Sequence, residues 1–244
     1  MKSPRVLEDR VPRRVLVVGA TGRLGVALAR ALAARGDHVT VSARDPAKVA
    51  ALVENLRQQG PGDHGAIVAD LRDRDAPERV AGAVQQRGGV EDVILACGPF
   101  PHTPVETLQR EDVESTLTVH ATAPLLLVSA LASQLRASKG AVVALGDAGV
   151  TRPYPNHVAY LTAKGALQAG LCALAVELAP HVRLNVLALG IVDDPEADAD
   201  PRRTHRLQAR SSLGRFGTPA EVVHVTLSLL DATWATGEVW GIGR

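Results

Sequence analysis

Short apolar runs alternate with longer amphipathic segments along the chain. Val15–Val18 (VLVV) is a continuous apolar run ending in glycine, and Leu24–Arg35 behind it carries Ala and Leu at helical spacing until Gly36. The same reading predicts strands at Val39–Ser42, Ala66–Ala69, Val93–Ala96, Ala141–Leu145, Arg183–Leu189 and Glu238–Ile242. Helices are predicted over Pro46–Gln58, Ala76–Gln86, Val113–Leu135, Tyr160–Leu178 (stopped by Pro180) and Pro219–Leu230. Strands alternating with helices, without hairpin turns, imply right-handed crossovers and a doubly wound parallel sheet of Rossmann type, an α/β fold in one domain.

Residues 14–244 form that domain in this reading, and residues 1–13 a charged, flexible leader with no apolar export core. The polar stretch Asp193–Ser212 follows a strand end and reads either as a mobile flap over a site or as a plain surface loop.

Composition narrows the classes. Of 244 residues 46% are hydrophobic, enough for a large core, although only 2% are aromatic. A net charge of +1 argues against nucleic acid and against an anionic membrane surface as partners. The apolar stretch Ala123–Leu131 is far shorter than the ~20 residues of a membrane span, and a cytoplasmic location is the expectation. Cys97 and Cys172 are too few and too far apart for a disulfide framework or a zinc site, so no metal is expected.

Gly19, Gly22 and Gly25 follow the first strand and precede a helix, the placement that brings backbone amides and a helix N-terminus to a pyrophosphate. A ribose-binding acid belongs at the end of the second strand, where the chain reads Ser42-Ala43-Arg44. Arg44, with Arg23 in the glycine turn, suits the 2′-phosphate of NADP(H); Asp45, one residue later, is the only support for NAD, and both arginines also read as solvated surface charges. Asp70-Leu71 after the third strand places a carboxylate near an adenine, or a helix cap there.

Tyr160 and Lys164 share one face of a helix in a chain with two tyrosines and four lysines. A lysine beside a tyrosine is expected to make the phenol a better acid near neutrality. Asp147 stands thirteen residues before Tyr160, just past a strand.

With these residues the chain resembles the short-chain dehydrogenase/reductase family, from about Arg14 to its end. The resemblance implies that Tyr160 donates a proton, that Lys164 binds the nicotinamide ribose, and that Asp147 takes the place of the family's substrate-holding serine. It extends the cofactor contacts to Thr21, Leu24, Leu71, Gly190 and Ile191, besides the glycine turn, Arg23, Arg44 and Asp70. Within the family the chain is most similar to pteridine reductases and dihydromonapterin reductases. They share that Asp, the Arg23-Leu24-Gly25 turn, the AKGAL segment at Ala163–Leu167, and a Phe after the fourth strand that stacks on the pterin, here Phe100 in GPFPHTPV. Phe100 also reads as an ordinary loop anchor.

A carboxylate facing a ketone oxygen would oppose the charge that develops there, whereas facing a ring N–H it is a good partner. The expected function is therefore NADPH-dependent hydride transfer to a pterin-like or other small heterocycle, with Asp147, Tyr160 and Phe100 on the substrate. A carbonyl or 3-oxoacyl reductase, and a non-catalytic dinucleotide-binding protein, are the alternatives. The chain departs from the family at Leu95–Gly98, His120, Leu189 and Gly241–Gly243. Family members are usually tetramers, and apolar residues Ala163, Leu167, Leu171, Leu174 and Leu178 suggest either a homo-oligomer or a core helix.

Overall fold

The computed structural model describes residues 11–193 and 201–243. Residues 1–10 of the expected leader and 194–200 of the expected flap lie outside the described residues. Seven parallel strands form one sheet: β1 (Arg14–Val18), β2 (His38–Ala43), β3 (Gly65–Val68), β4 (Asp92–Leu95), β5 (Ala141–Asp147), β6 (Arg183–Leu189) and β7 (Val239–Ile242). Their order is β3-β2-β1-β4-β5-β6-β7, so the winding reverses between β1 and β4. Within β1, Leu16 and Val18 enter one apolar core while Val15 and Val17 enter the other. A strand buried on both faces has no polar side, which is why it reads as an unbroken apolar run.

Helices α1 (Arg23–Ala34), α2 (Pro46–Arg57) and α9 (Pro219–Asp231) cover the second face. Helices α3 (Ala76–Gln86), α5 (Ala123–Ala130) and α7 (Val158–Leu178) cover the first. Gly36, at φ +89°, ends α1 in the left-handed region that glycine adopts without strain. By length and composition α7 would suffice to cross a membrane, yet Ala163, Leu167, Leu171 and Leu178 are buried in the core, and Leu174 packs against it. These residues serve the protomer's own interior and give no argument for a partner.

Two segments differ from the sequence reading. The helix expected over Val113–Leu135 is broken into α4 (Arg110–Leu117), a π-turn at Thr118–Thr122, α5, and α6 (Ala132–Ser138). Pro124 has no N–H to offer the carbonyl four residues back, and the wider π-turn takes up the mismatch. It carries His120 into the interior, 1% exposed. Within the expected flap, Pro201–Gln208 is helical (α8), and Val192 bridges Gly217 across its base.

The edge of the sheet opposite the strand C-termini holds a buried carboxylate. Asp92, 1% exposed, opens β4; its Oδ1 accepts from Ala141 N at 2.8 Å, and Arg13 Nε lies 2.9 Å from Oδ2. Burial pushes its carboxyl up to about 6 although Arg13 opposes the shift. A carboxyl raised in the fold binds its proton more tightly there than in the unfolded chain, where the value is about 3.9. Its contribution is thus most favourable below the lower value and is lost as pH rises through about 6. Asp92→Asn keeps an oxygen for the Ala141 amide, so relative to wild type it should gain stability across that window, by up to about 3 kcal/mol. Denaturant melts on both sides of the window check this; a difference independent of pH would refute it.

Candidate active site

At the reversal point the C-terminal ends of β1 and β4 diverge, leaving the crevice where open α/β sheets bind ligands. Gly19 lies there at φ +76°, and its amide donates to Ser42 O at 2.8 Å. A Cβ on Gly19 would sit 2.5 Å from Cys97 Cα, so the turn presses against the extension of β4. A Cβ on Gly25 would strike the Gly19 carbonyl. Gly22 caps α1 without a side-chain hydrogen bond, and no acid occupies the first turn. Uncapped amides at a positive dipole end, with no competing carboxylate, fit a pyrophosphate.

Around that turn the predicted cofactor residues are dispersed along the strand ends. Arg23 is exposed, and its Nη2 donates to Val192 O at 3.4 Å, reaching from the glycine turn to the loop after β6. Thr21 and Leu24 are half-buried beside it. Arg44 is exposed at the end of β2. Its neighbour Asp45 accepts from Ala47 N and Lys48 N at 3.0 and 3.1 Å and caps α2, so that carboxylate is committed to the helix. Asp70 accepts both the backbone amide and the guanidinium of Arg72, which hold its carboxyl down at about 2. Leu71 is buried. Across the crevice Gly190 N donates to Ile242 O at 2.8 Å, a Cβ there would collide with Gly243, and Ile191 is exposed beside it.

The reactive side chains gather where β5 ends and α7 begins. Asp147 Oδ1 accepts from Gly149 N at 2.6 Å. Its Oδ2 accepts from two phenols, Tyr160 and Tyr154, each at 3.1 Å. Lys164, 6% exposed one turn further along α7, donates through Nζ to Leu145 O at 2.8 Å and lies 5.6 Å from the Tyr160 ring centre. Phe100 stands edge-on to Tyr160 at 4.8 Å and stacks on His157 at 4.1 Å, with more than half its surface open. His120 packs edge-on to Tyr160 at 5.2 Å; its Nε2 bonds Pro99 O at 2.8 Å, and its buried Nδ1 has no partner among the described residues.

Tyr154 and His157 were not singled out by sequence. Tyr154 is the other of the two tyrosines, and that scarcity was the available signal. Among the described residues no group of His, Cys, Asp or Glu could hold a metal ion.

A family model described as enoyl-(acyl carrier protein) reductase matches residues 19–242. Dehydrogenase/reductase SDR family member 4 of Sus scrofa is 30% identical over 258 aligned residues, covering 99% of this chain and 92% of that protein. The chain belongs to the short-chain dehydrogenase/reductase family. This oxidoreductase is also 31% identical to L-xylulose reductase of Bos taurus, over 90% of this chain and 89% of that one. A 3-oxoacyl (acyl-carrier-protein) reductase from Agrobacterium tumefaciens, solved with NADP bound, superposes with a TM-score of 0.87 at 26% identity, covering 94% and 92% of the two chains. These names do not select the pteridine reductase branch; that narrower reading rests on the site alone.

The acidity of Tyr160 differs from the sequence expectation. Its phenol lies well above its ordinary value, first because it is buried, then because the Asp147 charge faces it, with Tyr154 adding to both. Tyr154 is raised by burial and Asp147 in the same way. Lys164 is aimed at a carbonyl, while the carboxylate touches the hydroxyl directly, so the nearer charge wins. Because the chain has only these two tyrosines, ultraviolet phenolate absorbance reads this site alone. In the short-chain dehydrogenase/reductase as it stands, phenolate should appear only above the ordinary tyrosine value of about 10. In Asp147→Asn the transition should move down in pH, and an unmoved titration would refute the assignment.

Proposed function

We propose that this protein is an NADPH-dependent reductase of a planar nitrogen heterocycle of pterin type. The observation that carries the reading is the Asp147 carboxylate, bracketed by two phenols that both lie beside the Phe100 ring. A flat ring suits an aromatic wall, and a carboxylate is a partner for ring N–H groups. Among six aromatic residues of the Phe, Trp and Tyr types, three stand at this one place, which supports a flat substrate.

The residues present fit a nicotinamide dinucleotide: the glycine turn and the α1 N-terminus suit its pyrophosphate, Arg23 and Arg44 a 2′-phosphate, and Lys164 a ribose. An ammonium has three donors and Lys164 spends one on Leu145 O, so it can hold hydroxyls without leaving its place. The bound cofactor supplies the hydride.

Tyr160 then acts as the acid. Its hydroxyl turns from Asp147 Oδ2 to the substrate atom that needs a proton, while Tyr154 continues to donate to Oδ2 and Gly149 N to Oδ1. Burial and the facing carboxylate keep Tyr160 protonated through neutral pH, so the hydroxyl has a proton to give, whereas oxidation would need the phenolate as base.

A second reading is reduction of a ketone or 3-oxoacyl group, favoured by the relatives named L-xylulose reductase and 3-oxoacyl reductase. Both readings predict that Tyr160→Phe loses at least ~10²-fold in turnover while keeping cofactor binding. They part at Asp147→Ser. NADPH consumption is followed with a dihydropterin and with an acetoacetyl thioester. The pterin-type reading expects wild type to favour the dihydropterin and the variant to shift toward the thioester; the opposite wild-type preference would establish the second reading.

A further inference from the structure

Helix α3 is preceded by a loop whose first acid is not available to a ligand in the usual sense. Asp70 is embraced by Arg72: Nε lies 3.1 Å from both carboxylate oxygens, and Nη2 donates to Oδ2. The Arg72 amide adds a further bond to Oδ1 at 3.0 Å, which fixes the backbone beneath the ion pair. Such a two-point clasp orients a guanidinium plane far more strictly than a single contact does. Among the described residues Arg72 Nη1 makes no hydrogen bond, and the side chain is 59% exposed.

The place of this ion pair in the sheet gives it meaning. Ala43 pairs with Val68, and Ala69 N donates to Ala43 O at 3.0 Å, so Arg44 and Asp70 leave the sheet at the ends of adjacent strands. Adjacent strands lie about 4.8 Å apart. In open α/β folds the adenosine ribose is read at the end of the second strand, where Arg44 stands. Arg44 is close enough to Asp70 to help hold its carboxyl down. One guanidinium thus bonds this carboxylate and a second stands near enough to act on it, while Asp73 also acts on Arg72 and is itself paired with Arg79. Asp45, the acid that would oppose an anion here, is committed to the α2 cap.

We propose that Arg72 is a specificity residue for NADP(H): positioned by Asp70, it presents Nη1 beside Arg44, and the two guanidiniums clamp the 2′-phosphate. The inference rests on the NADPH reading above. It assigns Asp70 as the positioning residue that aims Arg72. A phosphate carries several acceptor oxygens, so two planar donors approaching from adjacent strands can bind it without competing.

The test uses 2′,5′-ADP and 5′-ADP, which differ only in the 2′-phosphate, titrated calorimetrically into the full chain. Wild type is expected to bind 2′,5′-ADP the more tightly. Arg72→Gln should weaken 2′,5′-ADP on the order of tenfold while changing 5′-ADP by less than about twofold. Arg72→Lys, which keeps the charge but loses the planar fork, should fall between, and it replaces the Gln variant should that one fail to fold. Asp70→Asn should reduce the same preference by releasing Arg72. Equal weakening of both nucleotides by Arg72→Gln, or no weakening of either, overturns the proposal and leaves the NADPH reading standing. A wild type that binds the two nucleotides equally overturns that reading, and the proposal with it.

Discussion

The central strands β1, β4, β5 and β6 are buried on both faces, which leaves the C-terminal edge of the sheet as the place where polar side chains can gather. The candidate side chains sit at the strand ends of that edge, on the loops that leave it, or in the helical turns that face it. One close approach at that edge is the contact of Gly19 with Cys97, where the chain leaving the first strand turns over the extension of the fourth. A side chain there would push the two strand ends apart and with them the floor of the crevice.

Much of this was legible in the sequence because periodicity reports burial directly. Strands such as β1 and β6 fall within a residue of where their apolar runs place them, and α3 coincides with its pattern. The glycine turn and the Asp147, Tyr160 and Lys164 set were likewise visible as spacing. What spacing could not show was which partner a side chain would find. Tyr154 meets Asp147 only because the loop from Asp147 to His157 doubles back over the strand end. Arg72 meets Asp70 through a local turn that leaves no periodic trace. The π-turn at Thr118–Thr122 is a one-turn departure inside an apolar stretch that reads as one helix.

The acidity of Tyr160 shows how residues joined by spacing can meet electrostatics that spacing does not predict. Proximity in sequence joined Tyr160 to Lys164, but the fold sets the hydroxyl against a carboxylate and turns the ammonium toward a backbone carbonyl. A buried lysine and a buried tyrosine each suffer from desolvation, and neither relieves the other across a ring. The outcome is a phenol proton firmly held against the carboxylate. Around it His120, with an unpartnered buried nitrogen and a value lowered to about 4, stays neutral and adds no charge.

The end of β2 divides two duties between neighbours. Asp45 stabilises a helix by capping it, whereas Arg44 makes no part of the core and points to solvent. Selection can therefore rewrite the residue at position 44 without loosening the α2 cap. The charge at this corner of the sheet can thus change by a single substitution while the contacts that hold the fold stay as they are.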